Sequence, residues 1–161
     1  MDTSQLSEEQ QKVYDQAIDK ILETDRGEEI MIRLIVQSFT TYKIEMNNDG
    51  KNGYDPETKT VTWDPSIALM AGDDNAITPV VVLAHELGHA YQDDVSWGKL
   101  NQFLTLELED QNVRMTENPI AKAFGNGIRK DYFDWKFEFR TDSIFSKRII
   151  SITRTNDEDN N

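Results

Sequence analysis

The chain has 161 residues, a formal net charge of −13, 37% hydrophobic residues and no cysteine. Its length predicts one domain with a sizeable core, and its charge argues against nucleic-acid backbones and anionic membrane surfaces as partners. Disulfides, iron–sulfur clusters and thiolate metal sites are excluded, and no apolar run is long enough to span a bilayer.

Residues 1–6 are polar, carry no basic or apolar signal region and are expected to fray. Export would therefore need a specialised route or a larger parent chain. Ser7 with Gln10 resembles a capping box, and Val13, Tyr14, Ala17, Ile18, Ile21 and Leu22 then recur at helical spacing. Gly27 is expected to end that helix. A second helix follows, with Ile30, Met31, Leu34 and Ile35 predicted on its inner face.

Tyr42, Ile44 and Met46 alternate like a strand, and Asn47-Asn48-Asp49-Gly50 and Asn52-Gly53 are turn signals. Residues 58–64 read as a second strand. It is either an edge strand that pairs with an extended substrate or an interior strand of a sheet. Residues 65–77, with Gly72-Asp73-Asp74-Asn75, read as a solvated loop without the ligand spacing of a calcium-binding EF-hand.

The stretch Val80-Val81-Val82-Leu83-Ala84-His85-Glu86-Leu87-Gly88-His89-Ala90-Tyr91 predicts a buried helix. Thr78 is placed to cap it and Pro79 fits its first position. It is expected to end near Asp93-Asp94 or at Gly98. His85 and His89 are the only histidines in the chain. Four residues apart, they share one helical face. Two imidazoles at that spacing suit one Zn²⁺, and Glu86 stands where a general base for a zinc-bound water is needed. Intact Glu86 argues against a binding module with a structural zinc.

A catalytic zinc has three protein ligands and an open position. With no third histidine and no cysteine, the third must be a carboxylate; Glu107, Glu109, Asp110 and Glu117 are candidates. Phe103, Leu104, Leu106 and Leu108 leave the local pattern ambiguous, and helix is predicted from about Leu106 because a ligand must be held rigidly. Asn118-Pro119 begins another helix, stopped by Gly125-Asn126-Gly127. Residues 133–139 and 144–152 suggest strands, and residues 155–161 a disordered tail.

Several runs together resemble the bacterial effector-protein family of zinc metallopeptidases, which includes NleD-type effectors and polymorphic toxin domains. They are Gly27-Glu28-Glu29-Ile30, Trp63-Asp64-Pro65, Leu83-Ala84-His85-Glu86-Leu87-Gly88-His89-Ala90, Thr116-Glu117-Asn118 and Ile128-Arg129-Lys130-Asp131-Tyr132. The downstream part is similar to the catalytic core of clostridial neurotoxin light chains. That resemblance implies Glu109 as third ligand, Glu117 as a carboxylate supporting the ligands, and Arg129 and Tyr132 facing the scissile carbonyl. Leu108 stands where those toxins commonly carry an acid, so Glu107 and Asp110 stay open as ligands.

The expected fold is α+β, a compact zincin of the glutamate-ligand type. A small mixed or antiparallel sheet would pack on the His-Glu-x-x-His helix within one domain over 1–161, folded from 7 to 154. The expected activity is zinc-dependent hydrolysis of peptide bonds in a target-cell protein by a secreted effector or toxin acting in the target cytoplasm. A secretion chaperone or immunity protein is a candidate partner, and a non-exported housekeeping peptidase is the alternative.

Overall fold

The computed structural model describes residues 1–96 and 105–156. Gly98, Phe103 and Leu104, and the tail from residue 157, lie outside the described residues. The first helix, α1 (Glu8–Leu22), starts on the expected capping box: Gln10 N donates to Ser7 Oγ at 3.2 Å and Ser7 N donates to Gln10 Oε1 at 2.9 Å. Tyr14, Ala17 and Ile21 form its buried stripe. Ahead of it, the polar residues expected to fray touch the fold, with Asp2 N donating to Tyr42 O at 2.7 Å.

Gly27 does not end α1. It lies inside α2 (Asp25–Ile32), where a Cβ would come within 2.0 Å of Ile21 O. The glycine lets two helices cross closely; Thr24 caps α2 by accepting from Gly27 N at 3.0 Å. Ile30, Met31 and Leu34 are buried as expected, but Ile35 is 56% exposed. Residues Arg33–Gln37 form a π turn, whose wider winding rotates Ile35 out of the inner stripe.

Two small sheets follow. Strands β1 (Lys43–Met46), β2 (Gly53–Asp55) and β3 (Thr60–Trp63) form a mixed sheet in the order β1-β3-β2. Since β3 lies in the middle, residues 58–64 are the interior strand and not the edge. Strands β4 (Ile67–Ala71), β5 (Ala76–Ile77), β6 (Trp135–Arg140) and β7 (Ser151–Thr155) form an antiparallel sheet in the order β5-β4-β6-β7. Residues 65–77 are thus a hairpin rather than a loop, and residues 72–75 are its turn. Of residues 144–152, only the last two are strand.

Helix α3 (Pro79–Val95) runs through the core, and every residue from 79 to 90 is buried. A helix apolar all round is stable only when covered on every side. The covering comes from α1, from α2 and the π turn after it, from β2, β3 and β4, and from residues 106–123. Trp63 Nε1 donates to Pro79 O at 3.0 Å and fixes the start of α3 against β3. Thr78 holds the N-cap position, but its hydroxyl makes no capping bond and is buried without a partner among the described residues. The chain then continues through α4 (Leu106–Asn112), a second π turn (Val113–Glu117) and α5 (Asn118–Ala123). The architecture is α+β with two small sheets around one central helix.

Candidate active site

Helix α3 presents His85, Glu86 and His89 to a cleft of about 470 Å³. The residue between the histidine pair that matters for packing is Gly88. A Cβ there would lie 2.1 Å from Asn112 Oδ1 and 2.8 Å from Thr116 Cγ2. The bare backbone lets α4 lie directly on α3, and Asn112 Nδ2 donates to His85 O at 2.7 Å across the contact. Gln92 makes a second tie: its Nε2 donates to Leu108 O at 3.1 Å while its Oε1 lies 2.9 Å from His89 Nδ1. One side chain thus orients a histidine and clips α4 in place. Neither Asn112 nor Gln92 carries a sequence motif, although Gln92 stands three residues after His89, where helical side chains meet.

So positioned, α4 turns Glu109 toward the histidines. His85 Nε2 and His89 Nε2 are 3.0 Å apart, and Glu109 Oε2 lies 3.2 Å from the first and 3.0 Å from the second. A tetrahedral ion with ligand bonds of about 2.0–2.1 Å would set its ligand atoms about 3.3 Å apart. The three donors therefore fit a small divalent cation that accepts nitrogen and oxygen, and they are the group among the described residues that could hold one. Glu107 is exposed and lies outside this group. Asp110 is turned elsewhere, accepting from Tyr132 N at 2.9 Å.

Glu117 stands eight residues after Glu109. In a continuous α-helix it would be about 80° out of line. The intervening π turn takes up extra chain in each turn, which brings Glu117 back toward the same face. Its Oε2 lies 2.8 Å from His85 Nδ1, close but outside the geometry of an aligned hydrogen bond. Arg129 holds the other side, Nε donating to Glu117 Oε1 at 2.7 Å and Nη2 to Oε2. Nη1 donates to Tyr132 O at 2.8 Å. The Arg129 backbone is clamped in turn by Asn118, which accepts from Arg129 N at 3.0 Å and donates to Arg129 O at 2.6 Å.

The chain reverses just after Arg129. Lys130 N donates to Asp134 Oδ2 at 2.8 Å, and Phe133 N to Asp131 Oδ1 at 3.0 Å. This turn lies between Arg129 and Tyr132, which line the same cleft. The Tyr132 ring centroid lies 6.2 Å from that of His85, and its hydroxyl makes no hydrogen bond among the described residues.

Charge is concentrated here. Burial works against the His85 imidazolium, but Glu109 and Glu117 outweigh it and raise the group to about 9. Burial would lift both glutamates too; the histidines hold Glu109 at about 2, and Arg129 with His85 holds Glu117 at about 2. Glu86 has no such cation in contact among the described residues, and burial pushes its carboxyl above the ordinary range against the pull of His85 and His89. Burial, then Glu109 and Glu86, push the Tyr132 hydroxyl up to about 12.

A peptidase family described as "Effector protein" matches residues 1–102. That is well over half of the chain and takes in the whole of α3. The chain belongs to this family. As an effector-family peptidase it acts on protein, and no helix among its described residues is long and apolar enough to cross a membrane. The family match ends before Glu109, Glu117, Arg129 and Tyr132. No curated protein and no solved structure matches the chain.

Proposed function

We propose that this effector-family peptidase is a zinc endopeptidase of the glutamate-ligand zincin type, with His85, His89 and Glu109 as its ligands. The domain would span 1–161, and the enzyme would cut a protein inside a target cell reached by specialised export, with a secretion chaperone or immunity protein as its companion. The observation that carries the reading is the convergence of two imidazole nitrogens and one carboxylate oxygen within 3.2 Å on the cleft floor. When bound, zinc supplies a water acidified to a pKa of about 7 and a polarised peptide carbonyl.

The chain's own groups do the rest. Glu86 follows His85 directly and is about 100° round the helix, beside the ligand set and lining the same cleft. It takes the proton of the attacking water and passes it to the leaving amine. Tyr132 offers its hydroxyl to the oxygen on which charge develops. Three of the Arg129 donors are engaged by Glu117 and the Tyr132 carbonyl, so Arg129 acts as a positioning residue. It keeps Glu117 ionised behind His85 and holds the turn that presents Tyr132. Carboxylates behind a metal-ligating histidine fix its tautomer and orientation.

The test is metal content. Elemental analysis of purified protein should find about one zinc per chain. Glu109→Ala should lower zinc affinity while Glu107→Ala and Asp110→Ala leave it near wild type. Full affinity in Glu109→Ala would refute the ligand set.

A further inference from the structure

We infer that the cleft wall formed by β4, β6 and β7 is a subsite for a cationic substrate side chain, an arginine or lysine beside the scissile bond, and that the chain's own Arg154 fills it in the free protein. The inference rests on the peptidase reading above. Leu69 on β4 pairs with Glu138 on β6, and Glu138 with Arg154 on β7, so the three stand side by side across one sheet face. All three line the cleft, with Trp135 and Val82. Val82 precedes Glu86 by four residues on α3, which sets this wall next to the general base.

The contacts of Arg154 describe what the wall accepts. Its Nη2 donates to Glu138 Oε1 at 2.8 Å, and its guanidinium carbon lies 5.0 Å from the centre of the Trp135 ring. An aromatic face attracts a cation, and a long basic side chain buries its methylene stem on apolar surface while its head reaches a polar group. Leu69, Val82 and Trp135 supply the surface and Glu138 the counter-charge. The Glu138 side chain is 16% exposed and that of Arg154 is 45% exposed. The acid and the ring are therefore the built part of the wall, and the arginine is its accessible occupant. It comes from an outer strand on which residues 151–154 are all exposed. A carboxylate covered to this degree favours a cation beside it, and a substrate arginine or lysine in place of Arg154 supplies the same counter-charge.

An acidic substrate side chain is the competing possibility, because it would meet Arg154 from its exposed side. The charge of the cleft opposes it. Among the described residues, Glu86, Glu109, Glu117 and Glu138 line the cleft with Lys51, Arg129 and Arg154, and Arg129 and Arg154 are already engaged by Glu117 and Glu138.

Two readouts test the subsite. Argininamide, with norleucine amide as control, is titrated into metal-free protein while the Trp135 indole N–H resonance is followed. Arg154→Ala should tighten argininamide binding about two- to fivefold, the range of one part-exposed ion pair. Glu138→Gln should weaken it by on the order of tenfold. Zinc-loaded protein is then given lysate-derived peptides and the new termini are mapped. Arginine and lysine should be enriched at one position beside the cut bond, more so in Arg154→Ala and no longer in Glu138→Gln. Arg154→Ala changes an exposed strand, so its result decides the matter even where Glu138→Gln fails to fold. Cleavage without basic enrichment, or enrichment in acidic residues that disappears in Arg154→Ala, would overturn the subsite and leave the peptidase reading standing. The expected binding pattern with no peptide cut would support the subsite and sink the peptidase reading.

Discussion

Gly88 and Asn112 touch where the ligand-bearing helices cross, with room for a hydrogen but not for a methyl group: a Cβ at Gly88 would lie 2.1 Å from Asn112 Oδ1. Gly88→Ala must displace the Asn112 side chain and its bond to His85 O, or push α4 away from α3, at a cost of about 1–3 kcal/mol for overpacking. The higher helix propensity of alanine returns up to about 1 kcal/mol. Glu109 rides on α4, so zinc affinity should fall by more than the stability loss alone accounts for, on the order of tenfold. Denaturant titration and a competitive zinc titration check the two effects. Unchanged affinity with lowered stability would separate Gly88 packing from the placement of Glu109.

Arg129 and Tyr132 should separate cleanly by readout. Arg129→Met leaves the buried Glu117 carboxylate without its principal cation, and a broken buried ion pair costs about 3–5 kcal/mol. Tyr132→Phe removes a hydroxyl that makes no hydrogen bond among the described residues. Its thermal midpoint and zinc content should therefore stay near wild type. If the hydroxyl meets the developing oxyanion, kcat should fall by on the order of 10²–10³ with KM nearly unchanged. A normal kcat in Tyr132→Phe would leave that ring as packing against His85.

Asp94, at the far end of α3, gives a pH signature away from the ligands. It accepts from Arg33 Nε, from the Ser38 hydroxyl and, at 3.2 Å, from the Tyr42 hydroxyl. Burial would raise its carboxyl, but Ser38 and Arg33 outweigh that and hold it below the ordinary value. A carboxylate depressed in the folded state contributes stability above its unfolded pKa, and the contribution is lost as pH falls through the folded pKa. Asp94→Asn should therefore cost about 1–2 kcal/mol at neutral pH. The gap to wild type should close as pH falls through the range below the ordinary aspartate value. Denaturant midpoints measured across that range check it, and a constant gap would mean that the asparagine disturbs packing rather than charge.

The active helix was legible because its signals are local and agree: Thr78-Pro79, then a run of β-branched and aliphatic residues, then two histidines on one face. The capping box of α1 was legible for the same reason, whereas the start of α4 near Leu106 came from the need to hold a ligand rigidly, since the local pattern is ambiguous. Elements that depend on their neighbours were not. Ile67-Ala68-Leu69-Met70-Ala71 contains good helix formers and becomes strand β4 only by pairing with β6. Gly27 carries the same punctuation as a helix stop, and only the closeness of Ile21 O shows that it serves a crossing instead. Strand β3 reads as a possible edge because its outer neighbour, β2, is three residues long and contains Gly53. Neither π turn announces itself, so both the outward turn of Ile35 and the alignment of Glu117 with Glu109 escape a pattern of ideal helical period. Glu109 itself is indistinguishable by composition among thirty acidic residues, and its role in the sequence rests on resemblance alone.

Proteolysis through Glu86 is the central claim, and terminus mapping in a target-cell lysate tests it most directly. Wild-type protein and Glu86→Gln, each loaded with zinc to about one ion per chain, are incubated with the same lysate, and protein N-termini are catalogued by mass spectrometry. The wild type should generate a small set of new termini within a few proteins. Glu86→Gln, folded and metal-loaded, should generate none of them. Identical termini from both proteins, or no new termini from either, would contradict a zinc peptidase that uses Glu86 as its base.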